Sequence, residues 1–92
     1  MLLRVLGSQA LLDQALKPWP EVQAIGGHTD VLVDPAKPET VRMGQEMFRS
    51  LVTEMKWAAI DTTDKAAPRR VDVLDLDLGV QEMVIIPQIV GG

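Results

Sequence analysis

Hydrophobic and polar positions alternate along this chain in short blocks, and each block has the period of one type of secondary structure. Short aliphatic runs that end at glycine or proline predict strands, whereas apolar residues that recur every three or four positions predict helices. The clearest signal is a helix that begins at Pro38 and Glu39, which suit the first turn of a helix. The predicted elements in chain order are a strand at residues 1–6, a helix at 10–16, a loop at 17–28, a strand at 29–33, a helix at 38–56, a strand at 57–62, a turn at 64–68, a strand at 71–78 and a strand at 82–86.

This order of elements predicts an α+β fold. We expect a mixed sheet of about four to five strands, packed on one long helix. The strand at residues 82–86 is apolar on both faces, so we expect it in the centre of the sheet, covered by its neighbours. The residues expected in the core come from the long helix and the strand that follows it: Phe48, Leu51, Val52 and Trp57.

Two groups of side chains admit more than one interpretation. Met43, Met47 and Met55 lie on the long helix, where such residues usually fill a core, although a methionine groove for a partner is the alternative. Trp19 stands between Pro18 and Pro20. We expect it on the surface, because a rigid loop presents an indole to a partner at little entropic cost.

Residues 71–78 alternate apolar and acidic positions, but the alternation shifts after Val73, which predicts a bulge. Asp72, Asp75 and Asp77 raise the hypothesis of a metal site. Carboxylates two apart on a strand lie about 6.6 Å from one another, too far to share one ion without further ligands. A solvated strand face is the simpler interpretation. His28, the chain's one histidine, follows two glycines in a loop, and nothing in the sequence supplies catalytic partners for it.

Composition restricts the classes of function. The chain has 92 residues, of which 47% are hydrophobic and 24% charged, as in a folded domain. We therefore expect a single domain over residues 1–92. The net charge of −4 disfavours binding to nucleic acid, and no apolar run approaches the roughly 20 residues that span a bilayer. The absence of cysteine excludes a thiolate nucleophile and fits a reducing compartment, so we expect a soluble, cytoplasmic protein.

The most informative segment is the last ten residues, an apolar run that is broken by Pro87 and finished by Gly91 and Gly92. Two glycines have no side chains, so they can enter a narrow channel that a Cβ atom would block. Because proline has no N–H group, strand pairing should stop at Pro87, and we expect a mobile tail over about residues 87–92. When extended, this tail would reach roughly 20 Å.

The element order and the segment from Val84 to Gly92 resemble the ubiquitin-like β-grasp superfamily. The segment is most similar to the sulfur-carrier branch, which includes the molybdopterin-synthase small subunit and the thiamin sulfur carrier, and in which the last strand runs into a proline and a terminal diglycine. Residues 8–28 form an insertion in place of the tight first hairpin of that fold. The resemblance implies C-terminal activation at Gly91 and Gly92, and partner binding through Pro87, Gln88, Ile89 and Val90.

The implied chemistry needs a partner, because a terminal carboxylate is an anion at neutral pH and a poor electrophile. The resemblance implies an ATP-dependent adenylating enzyme of the ubiquitin-activating type that converts Gly92 into an acyl-adenylate. A sulfur donor or an amine then displaces AMP, for delivery to a sulfur-accepting enzyme or to a target protein. Thiocarboxylate and isopeptide formation both stay open. We expect no cofactor, no metal and no enzymatic activity of the chain itself, which has no phosphate-binding loop.

The alternative is a β-grasp interaction module without C-terminal chemistry. Phage tail-assembly proteins of the lambda type have a β-grasp domain and a similar ending from proline to glycine. The two hypotheses differ in whether a free carboxylate at Gly92 is required.

Overall fold

The structure is a computed structural model, and it describes residues 1–71 and 76–87. Within these residues the chain has an α+β architecture with one mixed sheet and helices packed against it. The strands are β1 (Leu2–Leu6), β2 (His28–Leu32), β3 (Ala58–Asp61), β4 (Arg69–Val71) and β5 (Glu82–Ile86). The helices are α1 (Gln9–Ala15), α2 (Pro38–Phe48) and a π-helical segment (Arg49–Glu54).

The described strands form a sheet with the order β2-β1-β5-β3-β4. β1 and β5 run parallel, with Leu3 opposite Met83 and Val5 opposite Ile85, and the other neighbouring strands are antiparallel. β5 therefore lies between β1 and β3, as its apolar sequence predicted. Because β1 and β5 run in the same direction, their C-terminal ends lie at the same end of the sheet.

One face of the sheet is covered by the helices and holds the core. Met83 and Ile85 of β5 are fully buried on this face, together with Phe48 and Leu51 from the helical side. These positions and the buried Trp57 confirm the predicted core, whereas Val52 is partly exposed and packs against it. The other face is half-open, so the apolar residues of β5 are completely covered on one side only.

The prediction of one long helix is wrong. Residues 38–56 divide into α2, which has 11 residues, and the six-residue π-helical segment. In the latter, the N–H group of Met55 donates to the carbonyl of Ser50 at 2.9 Å, a bond five residues long in place of the usual four. The segment ends at Glu54, and two residues later Lys56 has a φ of 64°, in the left-handed region that cannot continue a helix.

The three methionines of this region have different environments. Met47 is fully buried, Met43 is partly buried against the core, and Met55 is 41% exposed at the end of the π-helical segment. Met47 and Met43 fill the core as the sequence predicted. The three residues therefore do not form a continuous buried stripe, because Met55 is exposed and does not belong to the core cluster.

The prediction of a surface role for Trp19 is also wrong, because its side chain is only 8% exposed and belongs to the core cluster. The loop after α1 turns back twice. The N–H group of Trp19 donates to Leu16, and that of Val22 donates to Trp19, both at 2.9 Å. These turns fold the indole under the helices.

The strand expected after the turn at residues 64–68 begins at Arg69, earlier than predicted, and pairs with β3. The predicted bulge near Val73 lies outside the described residues, as do Asp72 and Asp75.

Candidate functional site

The predicted site lies at the end of β5. β5 ends at Ile86, and Pro87 follows it at the end of the sheet where the C-terminus of β1 also lies. The residues after it, Gln88, Ile89, Val90, Gly91 and Gly92, lie outside the described residues. The structure therefore shows the surroundings of Pro87 only.

Pro87 packs against the start of α1. Its side chain is half-buried beside Gly7, where a Cβ atom would lie 3.1 Å from Cγ of Pro87 and 3.6 Å from Cδ2 of Leu12. A side chain at position 7 would thus press on the proline ring. Ser8 follows Gly7 and caps the N-terminus of α1, because its hydroxyl accepts a hydrogen bond from the N–H group of Leu11 at 3.3 Å. The absence of a side chain at position 7 lets Pro87 lie close to the start of α1.

A turn from the inserted loop is bonded to the same place. We call residues 24–27 the Ile25 turn. The N–H group of Gly7 donates to the carbonyl of Gly27 at 3.0 Å, and the side-chain amide of Gln9 donates to the carbonyl of Ala24 at 2.7 Å. Gly26 and Gly27 have φ angles of 67° and 83°, and a Cβ atom at Gly27 would lie 2.9 Å from the carbonyl oxygen of Gly7. Glycine is required at this close approach.

The tip of the turn presents a large apolar side chain. Ile25 is 74% exposed, while its N–H group donates to the carbonyl of His28 at 3.0 Å. A groove of about 390 Å³ lies between the turn and α1, with Ile25, Leu12, Leu16 and Val22 among the residues that line it. His28 is exposed at the start of β2. We name Pro87, Gly7, Gln9 and the Ile25 turn together the Pro87 end.

Sequence reasoning found Pro87 but not its neighbours. The Gly26-Gly27 pair was visible as a turn signal, yet the turn's position depends on Gln9 and Gly7, which are distant in sequence. An exposed isoleucine within a loop also has no periodic pattern that would distinguish it from a core residue.

A charged pair lies on the half-open face of the sheet. Arg4 on β1 donates from Nε to Asp30 on β2 at 2.8 Å, and both side chains are more than one third exposed. This hydrogen bond, rather than the weaker charge attraction, is the main cause that lowers the pKa of Asp30 from its ordinary value. The pair joins β1 to β2 on this face, and neither it nor the Arg69–Asp61 pair lies at the Pro87 end.

At the opposite end of the strands, three aspartates lie in turns. We name Asp61, Asp64 and Asp77 with their turns the aspartate end. Each carboxylate accepts a hydrogen bond from a backbone N–H group two residues later, at 2.9, 3.0 and 2.8 Å respectively. At Asp61 the bonds from Thr63 lower the pKa of the carboxyl group, and the charge of Arg69, 3.7 Å away, contributes less. The groove here measures about 630 Å³.

The hypothesis of a metal site gains no support from the described residues of the aspartate end. Across residues 1–71 and 76–87, no three side chains of the metal-binding types come together as a site. Asp77 is exposed, and it uses a carboxylate oxygen to close its own turn at Gly79. These groups act as turn-forming residues in contact with solvent.

None of the helices in the described part of the chain has both the length and the apolar character needed to cross a membrane. Comparison with known protein families, with curated proteins and with solved structures gives no match for this chain.

Proposed function

We propose that this chain is a ubiquitin-like β-grasp protein of the sulfur-carrier type, and that an ATP-dependent adenylating enzyme activates Gly92. The observation that carries the proposal is the position of β5. This strand is hydrogen-bonded on both sides, to β1 and to β3. Pro87 follows directly after it and precedes Gly91 by four residues. A firmly held strand followed by a segment with no bulky residue at its end is suited to insertion into another protein's active site.

The topology supports the fold part of the proposal. An antiparallel β1–β2 hairpin is followed by helix α2, and β5 returns parallel to β1 in the middle of the sheet. A strand pair followed by a helix and further strands is the order on which the resemblance to a β-grasp domain rests, whereas the parallel pairing of β5 with β1 comes from the structure. The insertion between β1 and β2 contributes α1 and the Ile25 turn.

The chemistry is that of an acyl donor. A carboxylate oxygen of Gly92 attacks the α-phosphorus of ATP, pyrophosphate leaves, and an acyl-adenylate remains. A sulfur nucleophile then attacks the carbonyl carbon, and AMP leaves with the bonding electrons. Because the sequence contains no cysteine, the chain cannot form a thioester with its own side chain, and the sulfur must come from a partner. In this proposal the chain is the enzyme's substrate.

The sulfur-carrier assignment is tested by ATP–pyrophosphate exchange. The purified protein is offered separately to the adenylating enzymes that activate the molybdopterin-synthase small subunit and the thiamin sulfur carrier, and each enzyme's own carrier protein is the positive control. We expect exchange with one of them. Removing Gly92 shortens the reach by about 3.4 Å, and Gly91→Val places a branched side chain in the channel, so each change should reduce exchange by about 100-fold or more.

A matched control is Gly79→Ala, which alters a glycine at the aspartate end and should leave exchange unchanged. A residue appended after Gly92 should abolish exchange, because it removes the free carboxylate. If neither enzyme supports exchange with the wild-type protein, the sulfur-carrier proposal is wrong, and the interaction module without C-terminal chemistry becomes the favoured function.

A further inference from the structure

We propose that the Ile25 turn and the adjoining groove are the docking surface for the adenylating enzyme, with Ile25 entering an apolar pocket of that enzyme. This inference rests on the proposed function, and it adds a recognition surface that is separate from the reacting segment.

The first support is how Ile25 is held. Among the described large hydrophobic side chains with substantial exposure, Ile25 has the greatest exposed fraction, at 74%. A single exposed apolar residue is ordinary on a protein surface. This one lies on a turn whose backbone is bonded on both sides, at Ala24 by Gln9 and at Gly27 by Gly7. A side chain on a backbone that is already ordered loses little entropy when a partner covers it.

The second support is the distance available to the reacting residue. The five residues after Pro87 span at most about 17 Å. An active site that receives Gly92 must therefore lie within that distance of Pro87. A standard interface covers roughly 800 Å² on each partner, which corresponds to a disc about 16 Å in radius. The enzyme surface around its channel must consequently cover the surroundings of Pro87.

The Ile25 turn belongs to those surroundings. Gly7 connects the two features, because it donates a hydrogen bond to Gly27 at 3.0 Å and has Cγ of Pro87 3.1 Å from its Cβ position. An enzyme that encloses the start of the tail segment at Pro87 therefore meets this turn.

The third support is the chemistry of the surface. The groove beside Ile25 has apolar walls from Leu12, Leu16 and Val22, and Asp13 and Lys17 also line it. Such a combination of an apolar centre with charged groups is the usual organisation of a protein–protein interface. It fits a partner that receives Ile25 in a pocket and inserts an apolar side chain of its own into the groove.

Two matched substitutions test the inference. Ile25→Asp introduces a charge at the proposed contact. Leu32→Asp introduces the same charge at a side chain that is 66% exposed. Leu32 is the last residue of β2, whereas the Ile25 turn precedes the first residue of that strand. The register sets this separation, because Leu32 pairs with Leu2, whereas His28 pairs with Leu6 beside the Pro87 end.

The measurements are the KM and kcat for ATP–pyrophosphate exchange with the enzyme that accepts the wild-type protein, and the Kd for that enzyme without ATP. We expect Ile25→Asp to raise KM and Kd by about tenfold or more, the size seen for an interface anchor. Its kcat should stay within about twofold of the wild type, because Gly92 and its approach are unchanged. Leu32→Asp should alter none of these values by more than about twofold.

Ile25→Ala serves as a second variant if the aspartate lowers the melting temperature, and it should raise KM and Kd in the same direction by a smaller factor. Equal values for Ile25→Asp and Leu32→Asp would overturn the inference, as would a lower kcat at unchanged KM. Absence of exchange with the wild-type protein instead removes the proposed function, and this inference with it.

Discussion

The two ends of the sheet are built in different ways. At the aspartate end, each turn is closed by a carboxylate that accepts a hydrogen bond from the backbone two residues later, as at Asp61 and Asp77. The contacts between distant positions at this end pass through Thr63, whose hydroxyl accepts from the N–H groups of residues 81 and 82 at 3.1 and 3.2 Å. At the Pro87 end, the contacts join positions distant in sequence. Gly7 bonds to Gly27, Gln9 bonds to Ala24, and Pro87 packs on Gly7.

This difference teaches where a small change will have distant effects. A turn that is closed by neighbouring residues, as at Asp77, can be lost without moving distant elements, because its bonding partners are adjacent in sequence. A contact among α1, the Ile25 turn and β5 is shared, so its loss should loosen all of them together. The proposed function depends on the Pro87 end, because the enzyme that receives Gly92 must recognise the surface around Pro87.

The largest effect should come from Phe48→Ala, which removes a fully buried ring from the core that the helices and the sheet share. We expect a loss of about 3 to 5 kcal/mol in the free energy of unfolding, from lost burial and the cavity that remains. Denaturant unfolding measures the loss, and hydrogen exchange should show faster exchange at both ends alike. A loss below about 1 kcal/mol would contradict the position of Phe48 in the core.

The next effect should separate the two ends. Gly27→Ala forces an alanine into the left-handed conformation of this position and places its Cβ atom 2.9 Å from the carbonyl oxygen of Gly7. We expect a loss of about 2 to 4 kcal/mol, from about 1 to 2 for the backbone and the rest for the contact. Hydrogen exchange should accelerate in α1 and the Ile25 turn while Gly79 keeps its protection.

Gly26→Ala is the matched control, because Gly26 has a similar φ of 67° but open space around its Cβ position. It should cost only the backbone term of about 1 to 2 kcal/mol. Equal losses for the two variants would show that the close approach of Gly27 to Gly7 does not contribute to stability.

The smallest effect concerns pH at the aspartate end. In the folded protein the pKa of Asp61 lies below its ordinary value, mainly because of the hydrogen bonds from Thr63. A lowered carboxyl pKa adds stability that is complete above the ordinary pKa of about 3.9 and is lost as the pH falls through the folded value. Asp61→Asn should therefore lower the melting temperature near neutral pH and converge on the wild type in acid.

Arg69→Gln distinguishes the causes of this pKa shift. Because the bonds from Thr63 lower the pKa more than the charge of Arg69 does, this variant should keep most of the acid-dependent loss of stability. If Arg69→Gln removed the dependence as completely as Asp61→Asn, the ion pair would be the main cause.

Much of the fold could be predicted because its signals are local. The apolar run at residues 82–86 coincides with β5, and the helical spacing placed Phe48 and Leu51 in the core. The failures depend on distant contacts or on small changes in helical geometry. Trp19 looked like a surface residue between two prolines, but the turns around it fold the indole inward.

The divided helix was missed for a different reason. A π-helical segment changes the hydrogen bond at Met55 by one residue, and the sequence contains no marker for that change. For the candidate site, the sequence indicated Pro87 and the glycines after it. The Ile25 turn depends on the approach of Gly27 to Gly7, which local patterns do not contain.

The most direct test of the central claim is the intact mass of the protein after incubation with ATP, a sulfide donor and the adenylating enzyme that supports exchange. We predict that one oxygen at the carboxyl group of Gly92 is replaced by sulfur, and that fragmentation places the change on that residue. An unchanged mass, in a reaction where the enzyme's own carrier protein is converted, would contradict the proposal that this chain is a sulfur carrier.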